Sequence, residues 1–441
     1  MITSFAQCRL PALLAGLLLW AGAAPSQVLA EIVLEVTGGQ VKGLPIAVVP
    51  VAMDGTPAGA PQPADVIAAD LAFSGRFENI PRASHLSRPN TLAAVQYKDW
   101  RLLKAEALVV GRVINLGRGQ YEIRFRLIDV FREKQLVGQK FVVPAKRLRK
   151  VAHQISDLIY ATLISRQGVF DTRIAYVTVR GAEPNRRFLL QVAAADGWEP
   201  KTILESPQPI LSPAWSPDGN KLAYVSFEEK RSMVYVQDLW SGERTRVAGY
   251  DGLNSAPAWS PDGSRLALTL SKDGNPEIYV LELGALNLRR LTEHTAIDTE
   301  PAWSPDGGSL LFTSGRAGGP QIYQVPAAGG PPRRLTFQGD YNAGASFSPD
   351  GKSIVLVTNQ GDGYKIGMLS LQDRQIRALT STRHDESPSF APNGEFIMFA
   401  TKQGGRHVLA AVSADGRSEQ TLQFQEGDVR EPAWSPFNRK P

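Results

Sequence analysis

Cysteine is almost absent, with Cys8 alone in 441 residues. A lone thiol closes no intramolecular disulfide, and without a cysteine cluster there is no thiolate zinc or iron–sulfur centre, so stability must come from burial. Histidine is scarce too: His85, His153, His294, His384 and His407 show no ligand spacing. Charged residues reach only 21% against 43% hydrophobic, which excludes a disordered or collagen-like chain. The one long apolar run, Leu10 to Trp20, is short of the ~20 residues a membrane-spanning helix needs. There is no G-x-S-x-G nucleophile elbow. Gly351-Lys352-Ser353 ends like a phosphate loop, but its nearest upstream glycine, Gly344, stands too far away, and the stretch leaves a β-turn for a strand where a phosphate loop needs a helix N-terminus. No catalytic constellation is present.

What is there begins with a leader. Arg9 precedes the apolar run and Val28-Leu29-Ala30 follows it, the pattern of a secretory signal peptide over residues 1–30 cleaved between Ala30 and Glu31. Cys8 precedes the run, so a lipid-modified N-terminal cysteine is not indicated. The mature chain would hold no cysteine and no transmembrane segment, which suits an oxidising compartment, the periplasm of a Gram-negative cell. Residues 31–165 carry a net charge of +6 and residues 166–441 a net of −2. Basic residues without interleaved aromatics or a known module read as solvated faces, and no nucleic-acid partner is expected.

Internal repetition decides the architecture. PAWSPDG occurs at Pro213, Pro257 and Pro301, with weaker copies at Ala345 and Pro388 and a truncated one at Pro432, in steps of 44 residues, one of them 43. Ser-Pro-Asp-Gly is a type I turn, with proline where its fixed φ already fits and glycine where a positive φ is needed. Runs such as Lys221 to Ser226, Val234 to Leu239 and Arg290 to Thr292 complete four short strands per repeat, the size of a β-propeller blade. Residues 173–212 supply three strands of a blade without its first, and Pro432 to Ser435 supply that first strand. The fold class expected is multi-domain, α/β plus all-β. An N-terminal α/β domain spans 31–165, a linker 166–172, and a six-bladed propeller, closed by the strand 432–435, spans 173–441.

The loops before each PAW motif converge on one rim of the central channel. They bring Asn254 and Ala256; Asp298, Thr299 and Glu300; Asp385 and Glu386; and Asp428, Arg430 and Glu431. Carboxylates gathered on one rim repel one another unless a cation or a basic partner is present. Calcium, which selects hard oxygen ligands, is a candidate there, although no cofactor is required.

The leader, the small α/β domain and the six PAWSPDG-type repeats, together with Glu31 to Val49, the Phe73 to Phe77 element and Ser206 to Gly219, resemble the TolB family of periplasmic Tol-Pal proteins. Repeats of this kind also occur in propeller peptidases and lyases; the small domain in front and nothing behind the ring distinguish this family. The resemblance implies a non-enzymatic adaptor supporting outer-membrane integrity and envelope constriction at cell division. It implies that the rim receives the lipoprotein Pal, a contact that colicins mimic, with Asn254, Ala256, Thr299 and Glu300 matching the family pattern and Leu253 departing from it. It implies that the segment 31–43, with Glu31, Ile32, Leu34 and Val36, binds TolA; its alternating apolar residues suit strand addition and its glycines suit hinges. Other outer-membrane proteins are further candidate partners. From a different class comes a secreted propeller enzyme, a lyase or glycosidase using the acidic channel residues, and from a third a calcium-binding regulatory propeller.

Overall fold

The computed structural model describes residues 43–55, 62–422 and 427–438. The expected cleavage site at Ala30 and Glu31 and the segment holding Ile32, Leu34 and Val36 lie outside the described residues. Among the described residues no helix is long and apolar enough to cross a membrane.

The first part alternates strands and helices: β1 (Leu44–Val48), β2 (Ala52–Asp54), α1 (Pro63–Phe73), β3 (Phe77–Asn79), α2 (Tyr97–Leu102), β4 (Ala107–Gly117), β5 (Gln120–Asp129), β6 (Lys134–Pro144) and α3 (Leu148–Ile164). The sheet order is β3-β1-β4-β5-β6, with β2 also beside β4. β1 is parallel to β3 and β4, and β4, β5 and β6 are antiparallel. β1 is apolar towards both faces, as a central strand covered on both sides must be: Ile46 and Val48 meet α1 and α3, while Ala47 and Val49 meet Trp100 of α2. In α3, Val151, Ile155 and Ile159 recur at helical spacing and turn to the sheet.

The expected linker is packed. Val169 and Phe170 are buried, and the Asp157 carboxylate accepts the N–H of Phe170 at 2.8 Å and of Asp171 at 3.1 Å. Gly168 crosses so close to Asp157 that a Cβ there would lie 2.3 Å from Oδ1. Burial pushes Asp157 up to about 7, against those two N–H groups, which lower it.

Residues 173–434 form six four-stranded sheets. Blades 1 to 5 start at Ile210, Asn254, Asp298, Tyr341 and Glu386, and the closing blade pairs Asp428–Trp434 with Arg173–Arg180. The repeat motif has a mechanical meaning in blades 1 to 4. Ser216 Oγ donates to Asp218 Oδ1 at 2.5 Å, Asp218 accepts the N–H of Asn220 at 3.0 Å, and Gly219 takes φ +70°; Ser260, Ser304 and Ser348 repeat the first bond. The tryptophan of PAW stitches neighbouring blades. Trp215 Nε1 donates to Ala433 O at 3.0 Å, Trp259 to Ala214 O at 3.1 Å and Trp303 to Ala258 O at 3.2 Å. Phe347 and Phe390 occupy this position in blades 4 and 5 and have no N–H to donate. Trp434, buried at the closure, donates instead to Thr172 Oγ1 at 2.8 Å.

Antiparallel alternation puts the start of each inner strand at one end of the ring and the Ser-Pro-Asp-Gly turn at the other. The α/β domain holds the turn end. Tyr160 Oη donates to Glu395 Oε2 at 2.7 Å, Asn393 Nδ2 to Gln167 O at 2.9 Å, Arg76 stands 3.5 Å from Asp415, and Phe73 packs against Phe396. The described residues of this domain leave the opposite mouth uncovered.

Candidate functional site

Every inner strand breaks its ladder at the same place. Pairing skips between Leu211 and Ala214, Ser255 and Ala258, Thr299 and Ala302, Ala343 and Ser346, Glu386 and Ser389, and Arg430 and Ala433. The bulged residues Ser212, Ala256, Glu300, Gly344, Ser387 and Glu431 all take φ between +49° and +61°. Such a conformation costs a non-glycine residue about 1–3 kcal/mol, and it persists where the surroundings over-determine it. The proline that follows in five of the six is tolerated because the inner strand is an edge and the bulge needs no ladder donor there. Five strained positions, with Gly344 as the unstrained sixth, therefore ring the channel.

Two of these bulges carry glutamates that reach the next bulge. Glu300 Oε2 accepts the N–H of Gly344 at 2.9 Å and the Thr313 hydroxyl at 2.8 Å. Glu431 accepts the N–H of Ser212, the step that closes the ring. Burial in the channel pushes Glu431 up to about 7, and the fields of Glu386 and Glu300 add to the rise against the Ser212 N–H and Arg430.

The structure separates the expected rim residues into two sets. Asn254 and Asp298 are buried away from the mouth, a correction to the rim reading, and Asp385, also buried, lines the cavity beside Glu386. They open the inner strands and clamp the incoming loop inside the blade, which is why a short polar side chain stands there. Asn254 bonds the main chain of Tyr250 through both amide atoms, at 2.9 and 2.7 Å. Asp298 meets Arg316 Nη2 at 2.5 Å, and burial raises its pKa despite the Ser314 hydroxyl and Arg316. Asp385 accepts the hydroxyls of Thr382 and Thr401, each at 2.6 Å. Glu300 is exposed, while Thr299, Ala256, Glu386, Arg430 and Glu431 are half-buried along the channel. Thr299 and Thr269 bring their hydroxyls to 3.4 Å, and Arg430 stands 3.4 Å from Asp428. Of the acidic residues grouped by sequence, Glu300, Glu386 and Glu431 are thus the ones that share a field in the channel.

A cavity of about 460 Å³ opens beside Glu300 and Glu386. Its wall adds residues that sequence reasoning did not select: Tyr341 and Tyr364, packed edge to face at 5.0 Å, with Lys402 and His407. Tyr341 opens the inner strand of blade 4 and Tyr364 its third strand, while Lys402 and His407 flank the turn between the second and third strands of blade 5, which returns to the same rim. That return to the mouth was the available signal. Exposed Leu253 and Ile297 continue the rim as apolar patches. Among the described residues no group of three His, Cys, Asp or Glu has the arrangement to hold a metal ion.

Comparison with known proteins agrees with this architecture. Residues 160–438 match the model of the TolB beta propeller domain and residues 32–136 that of the TolB amino-terminal domain. The Tol-Pal system protein TolB of Nitrosococcus oceani is 59% identical, over 97% of this chain and 98% of that relative. The protein of the same name from Thioalkalivibrio sulfidiphilus is 52% identical, over 97% and 99%. The crystal structure of TolB from Acinetobacter baumannii superposes with a TM-score of 0.83 at 41% identity, covering 90% of this chain and 97% of that one.

Proposed function

The chain belongs to the TolB family, and from that premise we propose that it is a non-enzymatic periplasmic adaptor of the Tol-Pal system. It binds Pal through the channel mouth and TolA through residues 31–43 of the mature chain. In this reading it supports outer-membrane integrity and envelope constriction at division. The observation that carries the Pal assignment is the mouth itself: it is free of the described residues of the α/β domain, rimmed by Leu253, Ile297, Thr299 and Tyr364, and charged inside by Glu300, Glu386 and Glu431. Desolvating unpaired carboxylates costs several kcal/mol, so the fitting partner presents basic or amide groups. The enzyme reading would need a free acid and a free base, whereas Glu300 and Glu431 are each engaged by a backbone N–H of the neighbouring blade.

Titration calorimetry with purified Pal tests the rim. Thr299→Ala and Glu300→Ala should each weaken binding by about 1–3 kcal/mol while leaving the fold intact; unchanged affinity in both moves the Pal site elsewhere. The same protein lacking residues 31–43 should lose capture of TolA and keep Pal, and retained TolA capture would refute the N-terminal assignment.

A further inference from the structure

Among the described residues β6 is an edge strand, with β5 on one side and nothing paired on the other. Its bulge lies near one end, at Leu136, and Pro144 lies at the other, so the stretch between them is regular and available for pairing. Gly138 sits in that stretch. A Cβ there would meet the side chains of Gln135 at 2.8 Å and Arg126 at 3.3 Å, so the glycine leaves room for Arg126 beside the edge.

The sheet face next to this edge carries cations in register. Arg112 lies opposite Arg124, and Arg124 lies opposite Lys140, so three positive charges stand in one row across three strands. With strands about 4.8 Å apart the row spans roughly 10 Å. Arg126, opposite Gly138, adds a fourth charge in the adjacent row. Like charges directly opposite one another destabilise a sheet. Among the described residues Glu122 alone answers them, touching Arg124 and standing 4.0 Å from Lys140. The layer containing Trp100 covers Leu108, Val110 and Ile128 and stops short of this row. A cavity of about 470 Å³ opens there, lined by Arg112, Arg124 and Arg126 with Asn90 and Thr91 on its wall. On the far side of the row the next row holds Ile114 and Val142 on either side of Glu122, and Val142 is 54% exposed.

We propose that this edge is a docking site for an acidic, extended segment of a partner protein, which adds to the sheet as a strand beside β6. The geometry also sets the segment's sequence class. Side chains on the cationic face come from every second residue of the added strand. Those beside Gly138 and Lys140 meet Arg126 and the Arg112–Arg124–Lys140 row and are acidic; the next, beside Val142, is apolar. The added strand therefore reads acidic-x-acidic-x-apolar in one direction or the other. Backbone pairing gives affinity and the alternate side chains give choice of partner.

The test uses the mature full-length protein and a synthetic peptide alternating valine and glutamate, matched in length to β6, followed by fluorescence anisotropy. Binding should weaken with added salt and vanish for the same peptide N-methylated on alternate residues. It should fall about tenfold or more in Arg112→Glu and in Lys140→Glu, two exposed or half-exposed positions where the melting temperature serves as the control for folding. Lys140→Glu should in turn gain binding to a valine–lysine peptide. Equal binding of the N-methylated peptide would overturn strand addition. Capture by phosphatidylglycerol vesicles through the same arginines, with no capture of the peptide, would overturn it in favour of a lipid surface. This surface is remote in sequence and fold from the channel mouth, so failure here leaves the Pal reading standing.

Discussion

Ring closure depends on one strand, and Trp434 is its anchor. The residue is buried at 6% exposure, its indole N–H donates to Thr172 Oγ1 at 2.8 Å, and its main-chain N–H donates to the Ser389 hydroxyl oxygen at 2.9 Å. Truncating a buried tryptophan to alanine costs about 3–5 kcal/mol. In a domain of this size each kcal/mol shifts the melting temperature by about 2–4 °C, so Trp434→Ala should melt roughly 6–20 °C below the parent. Trp259→Phe is the informative partner. It removes one stitching bond to Ala214 O and keeps most of the apolar contact, and blades 4 and 5 already carry Phe347 and Phe390 at this position. The expected cost is one hydrogen bond, about 0.5–1.5 kcal/mol. Differential scanning calorimetry of the two variants decides the matter: if Trp434→Ala melted no lower than Trp259→Phe, the closing strand would not hold the ring.

Two further outcomes follow from the division of the acidic residues. Asp298→Ala should unfold rather than unbind, because it strands the Arg316 guanidinium inside blade 3; a loss of about 3–5 kcal/mol is expected, read by chemical denaturation, and parent-like stability with weakened Pal binding would return Asp298 to the rim. Glu431→Gln keeps an acceptor for the Ser212 N–H and removes the charge. The folded chain holds the Glu431 proton more tightly than the unfolded one, so its stabilising contribution is full below about 4.5 and is lost as pH rises towards about 7. The variant should therefore melt like the parent at pH 5 and above it at pH 8, and an equal difference at both pH values would sink the assignment.

Much of this fold was legible because it is periodic. A 44-residue step with Pro-Ala-Trp and Ser-Pro-Asp-Gly in fixed places reports a blade by its turn chemistry, and the missing first strand of residues 173–212 reports how the ring closes. The α/β class expected for residues 31–165 also followed from the sequence. The clamped segment after α3 did not, because nothing local announces that Asp157, thirteen residues before Phe170, will bind its N–H.

The rim was legible in position and misread in orientation. Sequence places Asp298, Thr299 and Glu300 before Pro301, but a regular strand and a bulged one direct those side chains differently. The bulge inverts the backbone at Glu300, so that Glu300 faces the channel while Asp298, two residues earlier, faces the blade and Arg316. No propensity argument would put five non-glycine residues at positive φ just before a proline or an equivalent position. Tertiary closure does, because each inner strand must turn its carbonyls and amides towards a neighbour that lies 44 residues away. The same constraint explains why glutamate is useful at two of the six sites: its side chain is long enough to reach the neighbouring bulge, as Glu300 reaches Gly344 and Glu431 reaches Ser212. The charge that would meet a partner at the mouth is therefore also the charge that ties blade 3 to blade 4 and the closing blade to blade 1. A ligand that draws on those carboxylates must compete with the ring's own backbone for them.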